Sequence, residues 1–286
     1  MSGDLMTRVE DNYVTVDGLK IRYIEEGDGP PVLLLHGASL GSSCDVFIRN
    51  LAPLAKAGFQ AIAFDQPGFG LSDVPADLSA AYRRDMIPKF MDALRLKQVA
   101  LIGHSQAGNP AVQLALKEPQ RYSHVVVLGT GSLLPPLDGE GEDRGAAVQQ
   151  RLERRMAESE PTLEDTRKLL EANLFHHELI TPEELALRHA RSIGRNFEAF
   201  VARNAAAEAE PPKEPKVPLW QRLIELKVPL LMIFGRDDRA HAAERAALLE
   251  EKFPQLDVNV VADCKHLVPW DAADEFLRLT VPFLKS

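Results

Sequence analysis

Short apolar runs, unbroken except for Asn259 in the last, recur along this chain: Val32 to Leu35, Ala61 to Phe64, Val99 to Ile102, Val125 to Leu128, Leu230 to Phe234 and Val258 to Val261. Each is too short for an amphipathic helix and lacks the polar alternation of a half-exposed strand, so the runs predict strands covered on both faces. Stretches with a helical apolar period lie among them, at Val46 to Ala57, Leu78 to Leu94, Ala107 to Lys117, Ala240 to Lys252 and Ala272 to Leu284. Alternating strand and helix favours an α/β fold with a mostly parallel, doubly wound sheet. Ahead of the first run, Tyr13 to Ile24 alternates apolar and polar residues about Asp17-Gly18. Both central residues tolerate positive φ, so the sheet is expected to begin with an antiparallel hairpin.

The alternation stops between Pro135 and Pro218, where strand-like runs give way to Glu, Arg and Ala. Helix breakers mark the borders, Pro135-Pro136-Leu137-Asp138-Gly139-Glu140-Gly141 on one side and Pro211-Pro212-Lys213-Glu214-Pro215 on the other. The reading is a core of residues 1–134 and 218–286 with a helical lid, 135–217, set over the carboxyl ends of the strands, where ligands bind in such sheets.

Bulk properties narrow the function classes. Acidic residues outnumber basic ones by 42 to 33, and a net charge of -9 offers no general attraction to nucleic acid or anionic membranes. Met1 to Glu10 has no signal-like apolar stretch, and no segment approaches the roughly 20 apolar residues that span a bilayer. Cys44 and Cys264 lack CxxC spacing and read as reduced thiols. A cytoplasmic protein acting on a small molecule, with no nucleic-acid or membrane partner, is expected; monomer and homodimer both stay open.

One short segment carries chemistry. In Val99-Ala100-Leu101-Ile102-Gly103-His104-Ser105-Gln106-Ala107-Gly108 a strand runs into a tight turn that opens a helix. Small residues at 103 and 107 let the backbone fold sharply, so that Ser105 projects as a nucleophile, although Ala107 replaces the usual second glycine. Past a later strand, Gly235-Arg236-Asp237-Asp238 offers two candidate acids, and His266 follows the final strand as candidate base. Serine, acid and histidine in this order match the α/β-hydrolase fold. An oxyanion needs donors that do not reorganise, and the amides of Ala38, in His36-Gly37-Ala38-Ser39, and of Gln106 are placed to supply them. His36 reads as a residue that holds its loop, and His104 as a pocket-lining or packing residue. Phe64 to Asp73 reads as a structural turn. His176 and His177 are adjacent and would point apart on a helix, and no Walker loop or dinucleotide fingerprint is present, so neither metal nor organic cofactor is expected.

From Gly29 to Leu284 the chain resembles the α/β-hydrolase superfamily and, within it, the meta-cleavage product hydrolases, which split carbon-carbon bonds in ring-fission dienoates. Gly235-Arg236-Asp237-Asp238-Arg239 is similar to that family's acid loop, which implies Asp238 as the triad acid. Cys264-Lys265-His266 with Ala273-Asp274-Glu275-Phe276 is similar to its histidine loop. Leu179 to Arg188 resembles the lid segment whose arginine meets the substrate carboxylate, which implies that role for Arg188. The chain departs from the family at Gly103-His104-Ser105-Gln106, where Gly-Asn-Ser and an apolar residue are usual, and at Leu267, where an aromatic is usual. A serine at 105 argues against haloalkane dehalogenases and epoxide hydrolases, which carry aspartate there. Carboxylester hydrolysis, a cofactor-free oxygenase and a non-catalytic small-ligand receptor are the other readings the same scaffold admits.

Overall fold

The structure, a computed structural model, describes residues 9–137, 154–209 and 217–286. Eight strands form one sheet: β1 (Asn12–Val16), β2 (Leu19–Glu26), β3 (Pro31–Leu35), β4 (Gln60–Phe64), β5 (Val99–His104), β6 (Tyr122–Leu128), β7 (Leu230–Gly235) and β8 (Asp257–Val261). Their spatial order is β1-β2-β4-β3-β5-β6-β7-β8. β1 and β2 pair antiparallel in register Val16↔Leu19, joined by Asp17 at φ 50° and Gly18 at φ 81°, the two positive angles a two-residue turn requires. β2 is antiparallel to β4, and every later pairing is parallel.

Period-two alternation splits the central strands between two cores, one on each face. Leu33 and Leu35 of β3 pack with the helix Ala80–Ala93 and with Ala111 and Val112, while Val32 and Leu34 pack with Phe47, Leu51 and Phe276 on the opposite side. β5 and β7 are buried throughout. β8 departs from the sequence reading. It is one of the two edge strands, most of its residues keep contact with solvent, and Val260 is 38% exposed. An apolar run alone cannot distinguish a central strand from an edge strand that is covered on one side only.

The helices Leu163–Asn173, Pro182–Ala190 and Arg195–Ala209 lie in sequence between β6 and β7. The borders read at 138–141 and 211–215 lie outside the described residues. Local chemistry sets two of the helix starts. Thr162 and Asp165 form a reciprocal capping box, and the Thr181 hydroxyl accepts the Glu184 amide before Pro182 at the first helical position. Leu170, Leu174, Ile180 and Leu185 of this region pack on Leu267 and Trp270 beside His266. Arginines fasten it further: Arg191 pairs with Asp45 at 2.9 Å, Arg195 donates to the carbonyls of Gly70 and Ser72, and Arg203 to that of Gly68.

Candidate active site

The carboxyl ends of β3, β5, β6 and β7 converge, as the parallel sheet requires, and the chemistry-bearing residues lie there. Ser105 follows β5 at φ +57°, in the left-handed region that costs a side-chain-bearing residue about 1–2 kcal/mol. Its surroundings impose this conformation. The Thr130 hydroxyl donates to the Ser105 carbonyl at 2.6 Å, and Gly108 passes so close to Thr130 that a Cβ there would fall 2.2 Å from Oγ1. The loop after β3 presses from the other side: a Cβ on Gly37 would stand 2.9 Å from the Ser105 Cβ.

Ser105 Oγ lies 2.9 Å from His266 Nε2, and His266 Nδ1 lies 2.9 Å from Asp238 Oδ2. A carboxylate only accepts, so Nδ1 carries the ring proton and Nε2 presents its lone pair to the serine hydroxyl. The two side chains are 11% and 6% exposed. Burial pushes the Asp238 carboxyl up, but His266 and the Arg239 amide, 2.7 Å from Oδ1, more than offset it and hold the group below its ordinary value. Asp237 points to solvent in the turn, and its amide donates to the Cys264 carbonyl. Of the two candidate acids, Asp238 is therefore the one brought to the histidine.

Ala38 follows Gly37 and Gln106 follows Ser105, so the two residues read as amide donors flank Ser105 from two strand ends. His36 holds its loop: Nδ1 donates to the Gly37 carbonyl and Nε2 accepts the Gln66 amide, and burial lowers its pKa to about 4. The Phe64–Asp73 turn is organised by Asp65, which accepts from the Cys44 and Leu71 amides and from Arg22. His104 packs beside the triad, its Nε2 2.9 Å from the His266 carbonyl.

A narrow cleft contains Ser105, His266, His104 and Arg188 in its lining. Arg188 reaches it from the helix Pro182–Ala190. Its Nη2 donates to the Leu40 carbonyl at 2.7 Å and to Ser39 Oγ at 3.2 Å, while its buried Nε has no hydrogen-bond partner. Among the described residues no carboxylate lies within ion-pair distance of it. Desolvation lowers its pKa to about 10, and Asp45 counters part of that, so the guanidinium stays charged near neutral pH.

Several participants were not singled out in the sequence. Asp271 accepts the amides of Lys265, Phe175 and His176 and so ties the histidine loop to the helical region. Ser39, Ser42 and Asn173 line the cleft. Polar residues at such spacings carry no chemical signature before the chain folds, and Asp271 shares its segment with Asp274 and Glu275, so nothing local marked it out. His176 and His177 bond in different directions, to Glu178 and to the Glu171 carbonyl. Among the described residues no group of three or more His, Cys, Asp or Glu side chains is gathered as metal ligands would be, and no helix is long and apolar enough to cross a membrane.

Known proteins bear on this geometry. The alpha/beta hydrolase fold family matches residues 30–273. The chain is 31% identical to a 2-hydroxy-6-oxo-6-phenylhexa-2,4-dienoate hydrolase of Burkholderia cepacia, over 99% of both proteins. It is 32% identical to a 2-hydroxy-6-oxononadienedioate/2-hydroxy-6-oxononatrienedioate hydrolase of Burkholderia vietnamiensis, over 96% of this chain and 95% of that protein. A solved meta-cleavage product hydrolase from Pseudomonas fluorescens IP01 superimposes with a TM-score of 0.75 at 26% identity, over 97% of this chain and 98% of the other. The chain belongs to the α/β-hydrolase fold family and, within it, to the meta-cleavage product hydrolases.

Proposed function

We propose, with that membership as premise, that this hydrolase cleaves the carbon-carbon bond next to the 6-oxo group of a 2-hydroxy-6-oxo-dienoate, using Ser105 as nucleophile, His266 as base and acid, and Asp238 to hold the imidazole tautomer. The observation that carries the substrate class is Arg188, a cleft guanidinium with a buried, unpartnered N–H in the same cleft as the nucleophile. An unmatched buried donor costs about 1–3 kcal/mol, and a substrate carboxylate would relieve it with a charge-assisted bond.

Anchoring the carboxylate at Arg188 presents the far carbonyl to Ser105. His266 first assists conversion of the 2-hydroxy-dienol to its 2-oxo tautomer, which adds a proton at C5. Ser105 then loses its proton to His266 Nε2 and attacks C6, and the Ala38 and Gln106 amides stabilise the oxyanion. As the C5–C6 bond breaks, its electron pair passes into the dienolate conjugated with the 2-oxo group, and His266 returns the proton. Water, deprotonated by His266, releases the acyl group as a carboxylic acid. No step calls for a metal or organic cofactor.

Residues 135–217 serve in this account as a lid that carries Arg188 over the strand ends. The net charge of -9, the two buried free cysteines and the lack of a membrane-length apolar helix among the described residues support a cytoplasmic enzyme acting on a small molecule, without a nucleic-acid partner. Supplying 2-hydroxy-6-oxo-6-phenylhexa-2,4-dienoate tests the reaction. Benzoate and 2-hydroxypenta-2,4-dienoate should form in equal amounts, and disappearance of the dienoate without benzoate would refute it.

A further inference from the structure

Both chain neighbours of His266 are hydrogen-bonded to residues 171–176, where the helix Leu163–Asn173 ends and the chain turns away from it. The Leu267 amide donates to the Asn173 carbonyl at 3.1 Å, and Lys265 Nζ to the Glu171 carbonyl at 3.0 Å. Asp271 supplies a further tie. It is 6% exposed, and three main-chain N–H groups converge on its carboxylate: those of Lys265 at 2.7 Å and Phe175 at 2.8 Å on Oδ2, and that of His176 at 3.0 Å on Oδ1. Hydrogen bonds to a carboxylate are charge-assisted and about twice as strong as neutral ones. One short side chain thus fixes the spacing between the loop that presents His266 and the chain at Phe175 and His176. The imidazole meets Ser105 and Asp238 at 2.9 Å each, so a shift of that loop disturbs both contacts.

We propose that Asp271 is a positioning residue for the reaction: its carboxylate clasps residues 265–267 to residues 175–176 and so sets the angle at which His266 meets Ser105 and Asp238. The inference rests on the triad reading above and extends it to a group that touches neither substrate nor reacting atoms. The helical region accordingly does more than cover the cleft, because its backbone is part of the scaffold that holds the base. A neutral amide cannot replace the acid in full. Asparagine keeps one acceptor oxygen, and whichever way its amide turns, an NH2 group then faces a main-chain N–H.

The test compares Asp271→Ala and Asp271→Asn with the unaltered enzyme in steady-state hydrolysis of p-nitrophenyl acetate, in the rate of inactivation by a fluorophosphonate, which Ser105 attacks with His266 as its base, and in the downfield proton resonance of His266 Nδ1–H. None of these needs a dienoate, so the outcome is separate from the choice of substrate. In Asp271→Ala, kcat and the inactivation rate should each fall about ten- to hundredfold, the cost of moving a catalytic group by up to about an ångström. KM should change by less than about twofold, since no binding group is lost, and the Nδ1–H resonance should move or broaden. Asp271→Asn should fall between Asp271→Ala and the unaltered enzyme. A folded Asp271→Ala protein with unchanged kcat and resonance, or one in which only KM rises, would overturn the proposal and make Asp271 a fastener of the helical region alone. If Asp271→Ala does not fold, Asp271→Asn decides by the same readings, and full rates with an unmoved resonance would overturn it. An unaltered protein that the fluorophosphonate leaves active would overturn the triad reading and this inference with it.

Discussion

Gly103 and Ala107 approach across the turn at Ser105 so closely that a Cβ on the glycine would fall 2.5 Å from the Ala107 carbonyl oxygen. The turn can close this tightly only without that atom, and its closure is what holds Ser105 at φ +57° with Oγ aimed at His266. Gly103→Ala should therefore cost about 1–3 kcal/mol of stability through backbone crowding. Displacing Oγ by even an ångström should lower turnover by about a hundredfold. Urea unfolding together with ester turnover measures both, and near-normal turnover in this variant would contradict the account of the turn.

Ser105→Ala and His266→Ala should each lower turnover by at least about a thousandfold in a folded protein, because members of such a triad act as a unit. Asp238→Asn should be similarly damaging and Asp237→Asn close to neutral, since only Asp238 bonds His266. The opposite ranking of the two asparagine variants would move the acid to Asp237.

Arg188→Ala should cost roughly 2–4 kcal/mol in kcat/KM toward a dienoate, the range for removing one partner of a desolvated charge pair. A neutral ester has no carboxylate to lose, so its kcat/KM should barely change. Equal losses on both substrates would assign Arg188 to lid structure through its bonds to Leu40 and Ser39.

Acid should destabilise the fold through His36 and His104. Burial depresses their folded-state values to about 4 and about 3, whereas an unfolded histidine titrates near pH 6.5, so below that pH the unfolded chain binds more protons. The stability they supply is complete above about pH 6.5 and is lost as pH falls toward their folded values. Between pH 6 and 5 the unfolding free energy should fall by up to about 2.7 kcal/mol per pH unit, two protons at about 1.4 kcal/mol each. Denaturant titrations across this range check the slope. His104→Gln should reduce it toward one proton, and a pH-independent stability from 7 to 5 would contradict the buried neutral histidines.

Much of this was legible before folding because the informative residues sit in strongly constrained settings. The runs at β3, β5 and β7 are buried on both faces and so read as uninterrupted apolar stretches, and Gly103 and Ser105 occupy a turn whose sterics restrict composition. β8 misled because its valines outweighed Asp257 and Asn259 in the reading, although those polar residues belong to an edge strand that meets solvent. Asp237 and Asp238 were indistinguishable by spacing, and resemblance rather than local physics favoured the second. The partners of Arg188, Arg191, Arg195 and Arg203 could not be read at all, since solvated and docked arginines look alike on a helix. Their partners at Leu40, Asp45, Gly70 and Gly68 lie more than a hundred residues away in sequence.

The central claim is that this cleft is built for a carboxylate-bearing dienoate rather than for esters in general, and kcat/KM for 2-hydroxy-6-oxo-6-phenylhexa-2,4-dienoate against that for p-nitrophenyl acetate measures it most directly. Loss of the dienoate's visible absorbance and release of p-nitrophenolate can be followed with the same enzyme in the same buffer. The account predicts that the dienoate is preferred by at least about a hundredfold, the equivalent of one matched buried charge pair, and that Ser105→Ala abolishes both activities. Rapid ester hydrolysis with no detectable cleavage of the dienoate would contradict it.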